Sequence, residues 1–316
     1  MSLATKKWPK RSDKLILVMM LKNEAQRICQ TTLDSIKDYI GHMIIYDTGS
    51  TDGTQEILKD YCNKHDIKLS LKEGDFVNFC VSRNVLLDYC DEILTGPHFL
   101  LQLDAHDELQ NGETLVNFIK NFKGPQTGFY LTQRWFSGNN VDSYYNVRLV
   151  ISHAGWRYKG VVHEYIMTPD VENKIVSSVD ALYRLEGIYL YQDRTADNDS
   201  SFRRFKRDKE LLYAEYLKDP HEPRTLFYLA QTCSCLGLTE ESYKYYLLRL
   251  KETGFFEENY QSYIRLGDLA LMLKHSWEEC MGWYLKAFQH SQRAEPLVKI
   301  AEYYKETNLL GEKKPE

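Results

Sequence analysis

The sequence lacks several patterns that would each assign the chain to a common class of protein. It contains no apolar run near the roughly 20 residues that a membrane-spanning helix needs. Its formal net charge is -5, whereas a general nucleic-acid binder is usually basic. Neither GxGxxG nor GxxxxGK[ST] occurs, so neither a dinucleotide-binding fold nor a phosphate-loop kinase is supported. We therefore expect a soluble protein with no transmembrane segment and no nucleic-acid partner.

Paired cysteine motifs are also missing. The 7 cysteines are scattered along the chain and include no CxxC pair. An odd, scattered set is typical of reduced thiols in a cytosolic protein rather than of a disulfide framework. No apolar stretch of the kind found in a secretory signal precedes Trp8 and Pro9. These features predict a cytoplasmic location.

What the sequence does contain is the composition of an ordinary globular protein. At 316 residues, with 43% hydrophobic and 27% charged residues, the chain is long enough for two domains. In its first half, short apolar runs alternate with segments of helical periodicity. Runs of strand length cover residues 15–21, 43–46, 67–71 and 99–103, and helical patterns cover residues 54–61 and 76–89. This alternation predicts βαβ units and a parallel sheet.

After Asp107 the sequence pattern changes. Three further strand-like runs, at residues 128–136, 144–150 and 188–191, are followed by helical periodicity from about residue 200. Similar segments at 227–230, 262–265 and 298–301 recur at a spacing of about 35 residues, which is typical of helix-pair repeats. We predict an α/β domain at residues 1–198 and an all-α repeat domain at residues 199–316.

The apolar run at residues 99–103 ends abruptly in Asp104, His106, Asp107 and Glu108. Open α/β sheets bind ligands at the carboxyl edge of their strands, which is where these side chains would lie. A carboxylate beside an imidazole suits Mn²⁺, Mg²⁺ or Zn²⁺. Alternatively, the carboxylates only cap the next helix, near Glu113, and His106 lies in a solvated turn.

Several segments along the chain carry a family resemblance. They are residues 20–24 (MLKNE), 47–54 (DTGSTDGT), 75–76 with 82–84 (DF and SRN), 101–105 (LQLDA), 160–164 (GVVHE) and 224–231 (RTLFYLAQ). In this order they resemble the family 2 glycosyltransferases of the GT-A fold, in the branch that carries C-terminal tetratricopeptide-like helices. The resemblance runs from Leu15 to about Leu310. It implies a Rossmann-like mixed sheet and transfer of a sugar from a UDP- or GDP-linked donor to a glycan or protein acceptor, with inversion.

The resemblance also implies roles for particular residues. The expected nucleotide-sugar site consists of Lys22, Asn23, Glu24, Asp47, Arg83, Asn84 and Asp104. The expected ligands of Mn²⁺ (or Mg²⁺) are Asp104, His106 and His163. The family usually has Asp-x-Asp where this chain has Asp104-Ala105-His106, so Asp107 is an alternative ligand. Two further alternatives give these residues structural roles: residues 22–24 only initiate a helix, and Arg83 forms a surface salt bridge.

Inverting transfer needs a carboxylate to deprotonate the acceptor hydroxyl. Glu164 and Asp107 are the candidates, with Glu108 as a competitor, and Glu164 could instead orient His163. Arg134, Trp135 and Tyr144 are expected to border an acceptor groove, although core packing explains them nearly as well.

Other functions for the whole chain remain open at this point. One is an inactive helical-repeat adaptor with a relic nucleotide-binding domain. A sugar-nucleotide-forming nucleotidyltransferase is another, but it would need a glycine-rich phosphate loop that this chain lacks. The helical repeats could hold an acceptor or mediate a homodimer.

Overall fold

The computed structural model describes residues 14–137, 140–172, 182–193 and 200–311. The chain divides into two compact units. The first unit comprises Met1–Lys159 and Glu164–Asn198, and the second comprises Gly160–His163 and Asp199–Glu316. The boundary predicted between residues 198 and 199 lies outside the described residues.

The first unit is an α/β domain. Its strands are β1 (Leu15–Leu21), β2 (Ile40–Asp47), β3 (Lys68–Glu73), β4 (Phe99–Gln102), β5 (Glu108–Gln110), β6 (Gly128–Ser137), β7 (Asn140–Ile151), β8 (Arg157–Lys159), β9 (Tyr165–Met167) and β10 (Leu182–Asp193). Its helices are α1 (Asp34–Ile36), which continues a π-helical turn at Cys29–Leu33, α2 (Thr54–Lys64), α3 (Phe79–Ile93), α4 (Gly112–Asn121) and α5 (Pro169–Glu172).

Eight strands form one mixed sheet in the order β3-β2-β1-β4-β7-β6-β10-β5. The strands from β3 to β4 pair in parallel, β7 is antiparallel to both β4 and β6, and β10 is parallel to β6. The predicted GT-A class of mixed sheet is confirmed. The parallel half brings the carboxyl ends of β1, β2 and β4 to the same edge, where an open α/β sheet binds its ligand.

Strand β1 shows why the central strands are continuous apolar runs. Leu15, Leu17 and Met19 pack into the hydrophobic core on one face of the sheet, and Ile16 and Val18 pack into the core on the other. Successive side chains of a strand point to opposite faces, so a strand covered on both sides needs an apolar residue at every position.

The structure differs from the sequence-based predictions at two places, the turn after β4 and strand β10. The carboxylates after β4 do not cap the next helix, because Glu108 begins strand β5 and Asn111 is the N-cap residue of α4. The strand predicted at residues 188–191 is much longer, since β10 pairs with β6 on both sides of a register shift between Arg184 and Tyr189.

The second unit contains six helices within the described residues. They are α6 (Ser200–Lys218), α7 (Pro223–Cys235), α8 (Thr239–Arg249), α9 (Phe256–Met272), α10 (Trp277–His290) and α11 (Glu295–Gly311). Leu226, Leu229 and Tyr246 are among its core residues, and the fully buried Arg249 pairs with Glu258 at 3.2 Å. The predicted all-α region is confirmed. In neither unit is a described helix both long and apolar enough to cross a membrane.

Two helix-interior glycines of the second unit give a matched test of packing. A Cβ atom on Gly267 would lie 2.5 Å from Cε1 of Tyr284, whose ring is fixed by a hydrogen bond from its hydroxyl to Asp268. A Cβ atom on Gly282 would meet nothing within 4 Å.

We expect Gly267→Ala to lower the free energy of unfolding by about 1–3 kcal/mol, because the core must be overpacked. Gly282→Ala should raise it by about 0.5–1 kcal/mol, because alanine loses less backbone entropy in a helix. Chemical denaturation of both variants tests the pair. Changes of the same sign in both variants would contradict this packing.

Candidate active site

A tight turn at the end of β4 presents Asp104. The backbone N–H of Asp107 donates to the carbonyl oxygen of Asp104 at 3.0 Å, and Oδ2 of Asp107 accepts from the backbone N–H of Asp104 at 2.9 Å. These reciprocal bonds leave the Asp107 side chain fully buried and the Asp104 side chain 33% exposed. The turn therefore uses Asp107 internally and offers Asp104 to the carboxyl edge of the sheet.

Two arginines converge on Asp104. Arg83, on α3, donates from Nη2 to Oδ1 at 2.7 Å, and Arg148, on β7, donates from Nη2 to Oδ2 at 3.0 Å. Arg83 also donates from Nε to Oε1 of Glu164 at 3.0 Å. Arg148 reaches the site because β7 runs antiparallel beside β4, with Leu149 opposite Leu101. Asp104, Arg83, Arg148 and Glu164 thus form one ion-pair cluster.

Asp104 and its neighbour Asp107 differ in their charge states. Burial alone would raise the pKa of Asp104, but Arg83 and Arg148 outweigh burial and hold that pKa far below its usual range. Burial raises the pKa of Asp107, and the nearby Asp104 charge adds to this effect against the attraction of Arg148. Asp104 is therefore a fixed negative charge, whereas ionisation of Asp107 is disfavoured.

Two hydrogen bonds between buried polar side chains lie next to the cluster. Gln133 donates from Nε2 to Oδ1 of Asp107 at 2.8 Å, and the hydroxyl of Tyr158 donates to Oε1 of Gln102 at 2.7 Å. Gln133 Oε1, Gln102 Nε2 and Arg148 Nε are buried without a hydrogen-bond partner among the described residues. Unpaired buried polar atoms are rare in proteins, and their concentration here marks a site with unused hydrogen-bonding capacity.

Asn84 positions its neighbour Arg83 through the backbone of Tyr158. Its Oδ1 accepts from the Tyr158 N–H at 2.7 Å, and its Nδ2 donates to the Tyr158 carbonyl oxygen at 2.9 Å. The Tyr158 ring then lies 5.3 Å from the guanidinium carbon of Arg83, within the range of a cation–π contact. Asn84 is thus a supporting residue in this arrangement.

The segments after β1 and β2 are joined by hydrogen bonds. Asn23 donates its backbone N–H to Oγ of Ser50 at 2.9 Å and accepts from the Thr51 N–H at Oδ1. Asp47 accepts from the N–H groups of Gly49 and Ser50 at Oδ1, while its Oδ2 is buried and without a partner among the described residues. Asn23 is structural in these contacts, and Asp47 keeps one acceptor available.

Lys22 and Glu24 flank this junction. Lys22 is exposed, and its Nζ lies 3.9 Å from the position that a Cβ atom on Gly49 would take. Burial raises the pKa of Glu24, and charges on His106 and Asp104 act on it in opposite directions. Glu24, His106 and Asp104 are therefore electrostatic neighbours at the same edge of the sheet.

His163 has its own surroundings within the second unit. Its ring stacks on that of Tyr228 with the centroids 4.2 Å apart, and its carbonyl oxygen accepts from Arg224 at 2.9 Å. Burial lowers its pKa, which favours the neutral imidazole. Among the described residues, no group of three or more His, Cys, Asp and Glu side chains is arranged to hold a metal ion. The ligand set of Asp104, His106 and His163 stays a prediction.

The side chains at Asp104 nevertheless suit a divalent cation for which they would supply some, but not all, of the ligands. An ionised carboxylate has about four acceptor sites, and the two arginine bonds of Asp104 use only two. His106 is half-buried nearby and adds an imidazole, a donor that suits Mn²⁺ better than Mg²⁺.

The three expected acceptor residues do not share one face of the sheet. Trp135 packs edge-to-face on Tyr144 at 4.9 Å between centroids, on the side to which Gln133 points. Arg134 points to the opposite side, because side chains alternate along a strand, and stacks on Tyr189 at 3.5 Å from the ring centroid. The structure therefore brings Trp135 and Tyr144 together and separates Arg134 from them.

Sequence reasoning missed Arg148, Gln133, Gln102 and Tyr158. One signal was available for Arg148, which stands inside an apolar strand-like run at residues 144–150. A charged residue that is buried in this way needs a charged partner, and a carboxylate was expected at the neighbouring edge. Gln102 carries a similar signal, as the polar residue inside the apolar run at residues 99–103, whereas nothing in the local sequence marks Gln133 or Tyr158.

The depressed pKa of Asp104 predicts an acid-dependent loss of stability. A lowered folded-state pKa stabilises the protein above the usual carboxyl value of 3.8, and this contribution disappears as the pH falls below that value. We expect Asp104→Asn to reduce the free energy of unfolding at pH 7 by about 1–3 kcal/mol, less than the roughly 3–5 kcal/mol for breaking a fully buried pair. It should also flatten the acid dependence. Urea unfolding between about pH 7 and pH 3 measures both effects.

Asp88→Asn is the matched control, because Asp88 is an exposed partner of Arg157. Exposed pairs contribute little, so this variant should behave like the wild-type protein. Equal stability and equal pH dependence of Asp104→Asn and the wild type would show that the arginine pairing of Asp104 is not present in solution.

Comparison with known proteins adds a family assignment. The family model described as "Glycosyl transferase family 2" matches residues 16–189, and no curated protein matches the chain. Among solved structures, S. aureus TarS 1–349 in complex with UDP shares 15% identity and a TM-score of 0.39, with 93% of this chain and 92% of that chain covered. GalNAc-T7 with UDP, GalNAc and Mn²⁺ shares 15% identity and a TM-score of 0.30, over 52% of this chain and 32% of that chain.

MamA shares 16% identity and a TM-score of 0.30, over 35% of this chain, and the chain spans 64% of the length of MamA. These structural likenesses are too low to carry an argument about function. The family match is different, because it covers more than half of the 316 residues, from the second residue of β1 through β9. The chain therefore belongs to the family 2 glycosyltransferases and is a glycosyltransferase.

Proposed function

We propose that the protein transfers a sugar from a UDP- or GDP-linked donor to a hydroxyl group of a glycan or protein acceptor, with inversion at the anomeric carbon. The observation that carries this proposal is the cluster at the carboxyl edge of the sheet. There Asp104 is paired with Arg83 at 2.7 Å and with Arg148 at 3.0 Å. The cluster combines fixed positive charge with an accessible carboxylate, as a nucleoside diphosphate site requires.

The nucleoside would lie where β1 and β2 end. Asp47 offers a buried Oδ2 without a partner among the described residues, and a ribose hydroxyl or base N–H would supply the missing hydrogen bond. Asn23 holds the loop after β2 in place, with Lys22 exposed beside it. Glu24 lies electrostatically close to Asp104, next to the diphosphate position.

The diphosphate would be neutralised by Arg83 and Arg148. Guanidinium groups bind phosphate oxygens with two parallel hydrogen bonds, and the buried Nε of Arg148 is available for one of them. Asp104 and His106 would hold Mn²⁺, or Mg²⁺, which when bound supplies further positive charge to the leaving diphosphate. Both arginines would exchange part of their contact with Asp104 for phosphate oxygens.

Transfer itself needs one displacement. The acceptor oxygen forms a bond to the anomeric carbon while the bond from that carbon to the phosphate oxygen breaks. The nucleoside diphosphate leaves with the bonding electrons, and the proton of the acceptor hydroxyl passes to a carboxylate. Attack on the face opposite the leaving group inverts the anomeric configuration, so no covalent enzyme intermediate forms.

Glu164 is the stronger candidate for the general base. Its side chain is 17% exposed and uses Oε1 to accept from Arg83. Asp107 is fully buried, and both of its oxygens accept hydrogen bonds, from Gln133 and from the Asp104 N–H. We assign Asp107 to holding the turn that presents Asp104.

The acceptor is proposed to bind beside an aromatic pair on β6 and β7. Trp135 and Tyr144 form an aromatic pair that suits a sugar ring, and Arg134 stays a prediction on the other face.

Tetratricopeptide character, acceptor binding and homodimerisation of the second unit also stay predictions. A cytoplasmic location is supported by the seven cysteines, all of which are free.

Donor binding tests the diphosphate assignment. We expect UDP or GDP, with Mn²⁺ present, to raise the melting temperature of the wild-type protein. Arg148→Gln should weaken nucleotide binding by about 10- to 100-fold, the effect of losing one charge-assisted hydrogen bond. Arg157→Gln, which removes an arginine that pairs with Asp88 and Asp91, is the matched control and should bind normally. A panel of nucleotides that gives no thermal shift would count against the proposal.

The assignment of Glu164 as general base predicts that its substitution changes kcat much more than KM. Glu164→Gln should lower kcat by about 10²- to 10⁴-fold and leave the KM for the donor within a few-fold, because a general base acts in the chemical step. Product analysis with a sugar-nucleotide panel provides the assay. A large loss of donor affinity with unchanged kcat would instead assign Glu164 to the positioning of Arg83.

A further inference from the structure

A polar cavity lies at the amino edge of the sheet, opposite the edge that carries Asp104. Its volume is about 290 Å³, several times the roughly 30 Å³ that a water molecule occupies in the liquid. It is formed by the starts of β1, β2 and β3, the residue before β4, and the end of α3. Its lining residues include Lys14, His42, Lys68 and His98, and among the described residues they include no carboxylate.

The strand register places basic residues side by side. His42 on β2 lies opposite Ile16 on β1 and opposite Lys68 on β3, so the two basic side chains are direct neighbours across parallel strands. His98 precedes β4, which pairs with β1 from the other side. Strand pairing thus fixes the positions of His42 and Lys68 next to each other.

Two close contacts shape the floor of the cavity. Gly41 has no side chain, and a Cβ atom there would lie 2.7 Å from Cδ and 3.7 Å from Nζ of Lys14. The Lys14 side chain can therefore lie directly across β2. His42 is buried and its Nε2 forms a 2.8 Å hydrogen bond with Oγ of Ser70, which sets the orientation of the ring.

Lys68 has no carboxylate neighbour among the described residues that line the cavity. Burial lowers the pKa of His42 to about 4, and the positive charges of Lys68 and His98 act in the same direction. With this pKa the His42 ring is neutral at pH 7, and an anion in the cavity would offset the positive charge of Lys68 and stabilise the protonated ring. A tetrahedral oxyanion would accept hydrogen bonds from the ammonium and imidazole groups together.

We propose that this amino-edge cavity binds a phosphate group, either as free phosphate or as a small phosphate monoester. The site would contact the ligand through Lys14, His42, Lys68 and His98, on the side of the sheet away from the transferase cluster. It is therefore a second anion site and does not depend on the donor assignment.

Calorimetric titration of the full chain with inorganic phosphate tests the proposal. We expect saturable binding by the wild-type protein and a loss of about 10- to 100-fold in affinity for Lys68→Gln, the range that one charge-assisted hydrogen bond contributes. Lys68→Arg keeps the charge and should bind within a few-fold of wild type. Lys59→Gln makes the same change in charge at an exposed position of α2 outside the cavity and should leave binding unchanged.

Arg148→Gln separates this cavity from the transferase cluster, which could also take up phosphate. We expect Arg148→Gln to retain phosphate binding at the amino edge. A parallel titration with glycerol 3-phosphate distinguishes free phosphate from a phosphate monoester as the ligand. If glycerol 3-phosphate binds more tightly than inorganic phosphate, the ligand is a monoester, and if it binds more weakly, the ligand is free phosphate.

Nuclear magnetic resonance of the His42 imidazole provides an independent readout. A bound anion stabilises the protonated ring, so saturation with phosphate should raise the pKa of His42 from its value of about 4. Absence of saturable binding would overturn the proposal. Binding that survives Lys68→Gln but is lost in Arg148→Gln would also overturn it, because the phosphate would then occupy the other edge.

Discussion

Asp104 is held by two guanidinium groups that have little access to water, and this pairing constrains everything around it. A buried arginine without a carboxylate is strongly unfavourable, so Arg148 requires Asp104 as long as no other anion is present, whereas Arg83 is shared between Asp104 and Glu164. Asp104 in turn requires the turn that Asp107 closes. Binding of a diphosphate would compete for both arginines, so donor affinity and the charge environment of Asp104 are coupled.

The mixed topology of the sheet is what makes the pairing possible. Arg148 follows Asp104 by 44 residues and reaches it only because β7 returns antiparallel beside β4. The alternation of strands and helices was sufficient to predict β1 at residues 15–21, where each face is covered and every position is apolar. The order of strands in the second half of the sheet depends on long-range pairing, which local periodicity does not encode. Arg148 was therefore missed although its neighbours were identified as a strand.

Other differences between expectation and structure come from single positions within an element. Arg134 and Trp135 are adjacent on β6 and must point to opposite faces, so an acceptor groove containing both was improbable on strand geometry alone. Asp104 and Asp107 carry the same functional group, yet the turn exposes the first and buries the second. Sequence can place such residues at the correct edge of the sheet. The direction in which each side chain points depends on how tightly the chain turns.

The two edges of the sheet differ in how their charges are balanced. At the carboxyl edge, each arginine of the cluster has a carboxylate partner within 3.0 Å, with which a bound diphosphate would compete. At the amino edge, the described lining contributes lysine and histidine without a carboxylate, although acidic residues outnumber basic ones 45 to 40 in the whole chain. Composition therefore does not explain a cationic cavity at that position. Because the same strands connect both edges, rigid packing of β1 to β4 would stabilise the two sites together, and each can be altered by substitutions that leave the shared core untouched.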